Sequence, residues 1–487
     1  MKLNKILLIT LSLALFTNCE DFLDLTPISE ETSADAYDNA SQIEAALTGA
    51  YESFQSSEYY VWDNLLFQDM RADNNYAGGD NPEIFAIDFL NITPTHSRLF
   101  THWSNIYNAI SKANVVLERV DGINDPQLTN ERKAQIRGEA LFLRSYHYFT
   151  LAKLWGSVPL ITASIKATTP ESVNIPKSPI EDIYAQITAD LELAATLLPD
   201  TYGNNSITKA RATSGAAHAL AAKAYAQQPN PDYNAVLDHI TEVENSAANY
   251  SLINYSQLFD GNNPNNAESI IEVQYLGGNE GNFGPQLLLP PSISGDTWRK
   301  FVTPSVDIVN AFDAEGDVVR KNASILFEEV QWVDEYWGNA AGSTIPFGYK
   351  WKNASGFASA DNTYLIRYGD IVLLKAEALN ELDQLEAAAT EVNRIRSRAQ
   401  LPDLTDAQKS SKAILKQNIL KERRLELFLE GQRWDDLVRY GQIVSTMNNL
   451  VEIDLRTNTP VNYNMTEAKI FLPIPQQELD RNPALTP

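Results

Sequence analysis

The strongest constraint on this chain is the stretch Lys421 to Gly441, KERRLELFLEGQRWDDLVRYG, where a helical pattern carries more charge than an amphipathic helix needs. Leu425, Phe428 and Leu429 recur at helical spacing, while Glu422, Glu426 and Glu430 form one stripe at i, i+4 and i+8 beside Arg423, Arg424 and Arg433. A ladder of carboxylates along one face needs cations against it. Gly431 breaks the period where a helix C-terminus belongs, and Trp434, Leu437 and Val438 restart it, so the stretch reads as helix, turn and second helix. The ladder is either a catalytic carboxylate cluster or a structural ion-pair network.

The N-terminus fixes the compartment. Lys2 and Lys5 precede an apolar run from Ile6 to Phe16, too short to span a membrane and flanked as a secretory signal is. Cys19, the only cysteine of the chain, follows at once. A lone Cys in that place resembles a bacterial lipoprotein site, whose sulfur is acylated and becomes the first residue of the mature protein. Residues 1–18 are therefore expected to be a signal peptide and 19–40 a tether, held by more than one acyl chain since a single chain binds only marginally. Glu20, Asp21 and Asp24 resemble the acidic signal that sends some lipoproteins to the outer face of the outer membrane.

Helical periodicity then dominates. Stripes over Ser41 to Phe54, Leu99 to Val120, Asn130 to Trp155, Pro179 to Leu198, Ser214 to Gln228 and Asp232 to Asn245 predict long helices, with Asp69 to Pro82 as a polar, Gly-rich surface loop. From Leu258 to about residue 362 the period fades into Asn, Gly, Pro and Ser, with a short strand expected near Ile270 to Tyr275. The helical pattern resumes at Thr363 as a pair joined near Asn380 to Asp383, and its small residues loosely resemble tetratricopeptide units. The reading is a mainly α protein of tetratricopeptide-like helical hairpins: a helical part over 41–257, a loop-rich insertion over 258–362, a second helical part over 363–447 and an extended tail over 448–487.

Charge and motifs narrow the function. A formal charge of −25 argues against nucleic acid or an anionic membrane surface as partner. The sequence has no GxSxG elbow, HExxH, Walker A loop or GxGxxG. His96, His102, His147, His218 and His239 lack metal-ligand spacing, and Asp73, Asn75 and Asp80 lack the Glu that would complete an EF-hand loop. No catalytic residue, metal site or cofactor is therefore expected.

Five pieces carry a family resemblance: NCEDFLDLTP, GEALFLRSYHYFTLAKLWGSVPLI, YLIRYGDIVLLKAEALNEL, KERRLELFLEGQRWDDLVRYG and FLPIPQQELDRNPALTP. In this order, across almost the whole chain, they resemble the SusD/RagB family of outer-membrane nutrient-binding lipoproteins. The resemblance implies a non-enzymatic protein of the cell surface. It would bind an oligo- or polysaccharide and cap a SusC-like TonB-dependent outer-membrane transporter as a lid, with a fold of four tetratricopeptide-like units. Sugar recognition needs aromatic platforms for ring faces and polar side chains for hydroxyls. Trp298, Trp332, Tyr336, Trp337, Tyr349 and Trp351, in the insertion, are the leading candidates, about half of them expected to be core. The family's use of loops in the first helical part adds Arg71, Asn74, Asn75 and Tyr76. Trp62, Trp103, Trp155 and Trp434 sit on helical patterns and are expected in the core. Two alternatives stay open: a surface glycoside hydrolase, which needs two carboxylates across a cleft, and RagB-like peptide capture. On the lid reading the Glu ladder is structural.

Overall fold

The computed structural model describes residues 37–167, 169–337 and 343–486; the leader, Cys19 and nearly all of the expected tether lie outside the described residues. Helices α1 (Ala40–Tyr51), α2 (Ser97–Arg119), α3 (Asn130–Trp155), α4 (Ile180–Leu197), α5 (Ser214–Gln227) and α6 (Tyr233–Asn245) follow in order, each packed on the next. Their starts are set locally. Asn39, Thr129, Thr213 and Asp232 each accept a backbone N–H of the first turn through the side-chain oxygen. At the other end, α3 stops at Gly156, whose φ of +69° is open to glycine at little cost. The centre of α3 is buried nearly all round, and Arg144 inside it donates to Asp190 on α4 (2.7 and 2.8 Å) and to Asn114 on α2 (3.0 Å), locking three helices together.

The chain leaves this stack after α6 and runs through the insertion. Two helices, α7 (Val306–Glu315) and α8 (Val318–Ser324), lie where the sequence reading saw periodicity fade; Ser305 and Asp317 cap them. Both are short, so neither shows a sustained stripe. Return to the stack is as α9 (Tyr368–Glu381), which packs on α6 and is followed by α10 (Leu385–Arg398), α11 (Lys412–Glu426) and α12 (Arg433–Arg439). The result is a mainly α fold, one ladder of helical hairpins with a segment inserted between two neighbours.

Strands are short, and two of the pairs join distant segments. β1 (Asn75–Ala77) pairs antiparallel with β3 (Val302–Pro304), β2 (Ser269–Val273) with β6 (Thr363–Arg367), and β4 (Ile325–Glu329) with β5 (Thr344–Gly348). Thr363–Arg367, read from sequence as the start of a helix, is thus β6; helix begins at Tyr368, after Arg367 has been delivered to a buried carboxylate cluster. Asp69–Pro82 also departs from expectation. It is buried from Asp69 to Gly79 because β1 within it hydrogen-bonds to the insertion and its polar side chains are taken up by ions of α11 and α12. The C-terminal tail crosses α2 and α3: Leu472 N–H donates to Leu154 O, and the Trp155 indole N–H donates to Pro473 O. Trp62, Trp103, Trp155 and Trp434 are all buried.

The Glu ladder is an ion-pair network. Glu426, fully buried, accepts from Arg367 (2.6 Å), Arg320 (3.2 Å) and Arg398. Glu422 pairs with Arg320 (2.7 Å) and Arg396 (3.1 Å), and Glu430 with Arg367 (2.6 Å) and Lys350. Burial alone would raise the Glu426 carboxyl, but Arg398, Arg367 and Arg320 outweigh it and hold it well below the usual carboxylate range. The partners are not all on neighbouring helices: Arg320 is on α8 and Lys350 follows β5, so the ladder grips the insertion as well as α10.

Candidate functional site

The candidate residues Arg71, Asn74 and Asn75 of the first helical part are buried, each with part of its side chain engaged internally. Arg71 lies 3.8 Å over the Trp434 ring and donates to the carbonyls of Ile470 (2.9 Å) and Lys469 (3.2 Å), while burial pulls its pKa down to about 9. Asn74 Oδ1 accepts from Arg424 Nε at 2.7 Å, and Asn75 Nδ2 reaches Asp69 O at 3.4 Å. Asp73, just before Asn74, takes both arms of Arg433 at 2.7 Å. Burial would raise the Asp73 carboxyl, and Arg424 and Arg433 instead hold it well below its ordinary value. As placed, Arg71, Asn74 and Asn75 build the floor under a site and do not face one.

Tyr76 links that floor to the insertion. The β1–β3 register sets its ring flat against Tyr336, with centroids 4.0 Å apart and planes 10° from parallel, and its hydroxyl donates to Asp334 at 3.0 Å. Asp334 also accepts the backbone N–H groups of Tyr336 (3.1 Å) and Trp337 (3.2 Å), which fixes the turn that presents both rings. Trp337 stands edge-on to Phe327, itself 37% exposed, at 6.1 Å. Trp332 packs beside it against Val330, Ile345 and Phe347.

The same strand pair carries a second group at its other end. Past β1 the backbone passes so close to the insertion that a Cβ on Gly79 would sit 2.1 Å from the Phe301 ring. Phe301 lies 5.6 Å from Trp298 and 6.4 Å from Trp62. The Lys300 ammonium stands 4.0 Å over Trp298, anchored by Asp296 (2.9 Å) and Gln286 O (2.9 Å); burial lowers its pKa and Asp296 opposes the shift. Trp298, Tyr336 and Trp337 are half-buried along one seam, and Tyr76 lies buried against Tyr336 as its backing. Tyr349 and Trp351 follow β5 away from it. The Tyr349 ring lies 3.3 Å beneath the Lys352 ammonium, and Trp351 is buried at the wall of a separate cavity.

Such a seam suits a ligand with apolar ring faces and hydroxyl edges, because the aromatic faces cover carbon while flanking groups donate and accept. Sequence reasoning passed over Phe301, Phe327 and the stacked pair Phe283 and Phe357 (4.6 Å), of which Phe357 is 39% exposed. The available signal was a Phe bracketed by glycine or small residues in GNFGP and SGFAS. Among the described residues no group of three or more His, Cys, Asp or Glu side chains converges to hold a metal ion.

Comparison with known proteins gives two matching family models: one described as starch-binding associating with outer membrane, over residues 21–226, and the SusD family, over residues 331–487. SusD-like protein P38 of Formosa agariphila is 27% identical, over 98% of this chain and 97% of its own. Among solved structures, a laminarin binding SusD-like protein superposes with a TM-score of 0.74 at 26% identity, covering 91% of this chain and 98% of that one. A SusD homolog from Bacteroides thetaiotaomicron reaches 0.78 at 23% identity, covering 93% and 98%.

Proposed function

We propose that this chain, which belongs to the SusD-like family, binds an oligo- or polysaccharide at the β1–β3 seam without altering it chemically. On this reading it is tethered to the outer face of the outer membrane through acylated Cys19 and hands the glycan to a SusC-like TonB-dependent transporter. The observation that carries the binding role is the set of half-buried aromatic rings along the seam, with Trp298 at one end and Tyr336 and Trp337 at the other. The starch-binding description of one family model and the laminarin binding of a structural relative support a glucan as the first ligand to try.

Magnitudes say what kind of glycan. An aromatic stacking contact contributes about 0.5–1.5 kcal/mol beyond its buried area. Two or three such contacts, less the cost of association, hold one sugar weakly and a chain that touches several of them much better. The seam therefore selects polymers and long oligomers.

Affinity gel electrophoresis against laminarin, starch, xylan and mannan tests this. Wild type is expected to be retarded by at least one polymer and to release no new reducing ends. The double variant Trp298→Ala, Trp337→Ala is expected to run freely with unchanged far-UV circular dichroism. Steady release of short sugars would replace the binding reading with the hydrolase. Retention by extended peptides and by no glycan would replace it with peptide capture.

A further inference from the structure

A cavity of about 90 Å³, room for several water molecules, lies where the helical body meets the insertion. It is distinct from the seam. Most of its charged groups are already engaged. Lys350 donates to Glu430 and to Glu426 O (3.2 Å), Glu430 also takes Arg367 (2.6 and 2.9 Å), and Glu272 is occupied by Asn362 (2.8 Å) and the Asn265 N–H (3.1 Å). An anionic guest would have to displace Glu430 from Lys350, the one cation of the lining.

What remains is ring surface and a few unused polar groups. Tyr60, Phe259 and Trp351 supply ring surface, and the Tyr60 hydroxyl is spent on Tyr364 O at 2.8 Å. Four polar groups on the wall have no partner among the described residues: the Asn64 amide, the Trp351 indole N–H, the Asn263 side-chain carbonyl and Asp361 Oδ1. Room for the Asn64 amide is made by Gly431, where a Cβ would stand 2.8 Å from its nitrogen. The other Asp361 oxygen is fixed by the backbone N–H groups of Lys352 (2.7 Å) and Asn353 (2.9 Å), which aims the free one. An apolar guest would leave these donors and acceptors unpaired, and that is costly in a recess.

Aromatic faces beside both donors and acceptors, in a recess of this size, match one hydroxylated ring. We infer that this cavity is a second binding site, which takes a single neutral sugar ring, either a free monosaccharide or the terminal residue of a chain. The inference does not depend on the seam.

Isothermal titration of the purified protein with glucose, galactose, mannose and xylose tests it. Wild type is expected to bind at least one of them saturably, and Asn64→Leu, of near-equal size, to weaken that binding tenfold or more. Trp351→Phe, which keeps the ring and loses the N–H, is expected to weaken it severalfold with an unchanged thermal midpoint. No saturable binding of any of the four, or binding that both variants leave intact, overturns the inference. If Asn64→Leu also lowers retention in the polymer gels, the guest is a chain end; if retention is unchanged, it is a free sugar. Failure of wild type in the gels removes the seam reading and leaves the titration to decide the cavity by itself.

Discussion

Glu426→Gln removes one charge from the centre of the ladder and keeps the side-chain shape. Breaking a fully buried ion pair by deleting one partner costs about 3–5 kcal/mol, because the other charge is left without compensation. Here three guanidiniums lose a partner, yet none is stranded: Arg320 keeps Asp317 and Glu422, Arg367 keeps Glu268 (2.9 Å) and Glu430, and Arg398 keeps Glu268. The loss belongs at the lower end, about 3 kcal/mol. Urea unfolding followed by far-UV circular dichroism reads it as a lower midpoint at unchanged slope.

The pH dependence carries the sign. Because the Glu426 carboxyl is held below its unfolded value, its contribution is complete above about pH 5 and is lost as pH falls through about 4 and below. The variant lacks that contribution at every pH, so its deficit against wild type shrinks on acidification. At neutral pH and low temperature, where the variant is still folded, its gel retention is expected to match wild type. A variant as stable as wild type, or one that loses retention while its unfolding midpoint holds, refutes a structural ladder.

Three further outcomes are expected. Gly79→Ala places a methyl against Phe301 and is expected to cost about 1–3 kcal/mol by overpacking and to weaken polymer retention, read by thermal melts and affinity gels. Asp88 accepts the Ala77 N–H of β1, and burial pushes its carboxyl up to about 8, so stability is greatest below about pH 4 for this group and falls as pH rises towards 8; Asp88→Asn is expected to flatten that fall in urea titrations at pH 5 and pH 8. Cys19→Ala is expected to move the protein from the outer-membrane fraction to the soluble fraction in immunoblots, and membrane association that survives a salt wash would contradict the anchor.

The helical frame was legible because its signals are local. Asn130 to Trp155 reads as a helix from its stripe and its Gly156 stop, and the observed helix has the same ends. The aromatic seam was legible in part. Trp298, Tyr336 and Trp337 stand out in a loop-rich segment, but the β1–β3 pairing that sets Tyr76 against Tyr336 joins residues more than two hundred positions apart and leaves no periodic trace. Asp69 to Gly79 was misread for the same reason. Its polar composition is that of a solvated loop, and only the positions of Arg424 and Arg433 in space show that Asp73 and Asn74 are spent inside. Composition reports that charges exist, whereas burial depends on where their partners lie.

That misreading also changes what the ladder does. Read from sequence, Lys421 to Gly441 belongs to the second helical part and not to the loop-rich insertion that carries the candidate aromatics. In the fold, its carboxylates hold Arg320 and Lys350 of the insertion, and its arginines hold Asp73 and Asn74 at the root of β1. Both halves of the seam are thus pinned to α11 and α12 by charges that a binding loop could not keep in place by packing alone. Glu430 carries the link further, since its carboxylate holds Lys350 at the wall of the cavity on the other side. Loops that vary in sequence can be mounted on such a clamp without refolding the body, because the clamp fixes where the insertion sits and leaves the rings it presents free to change.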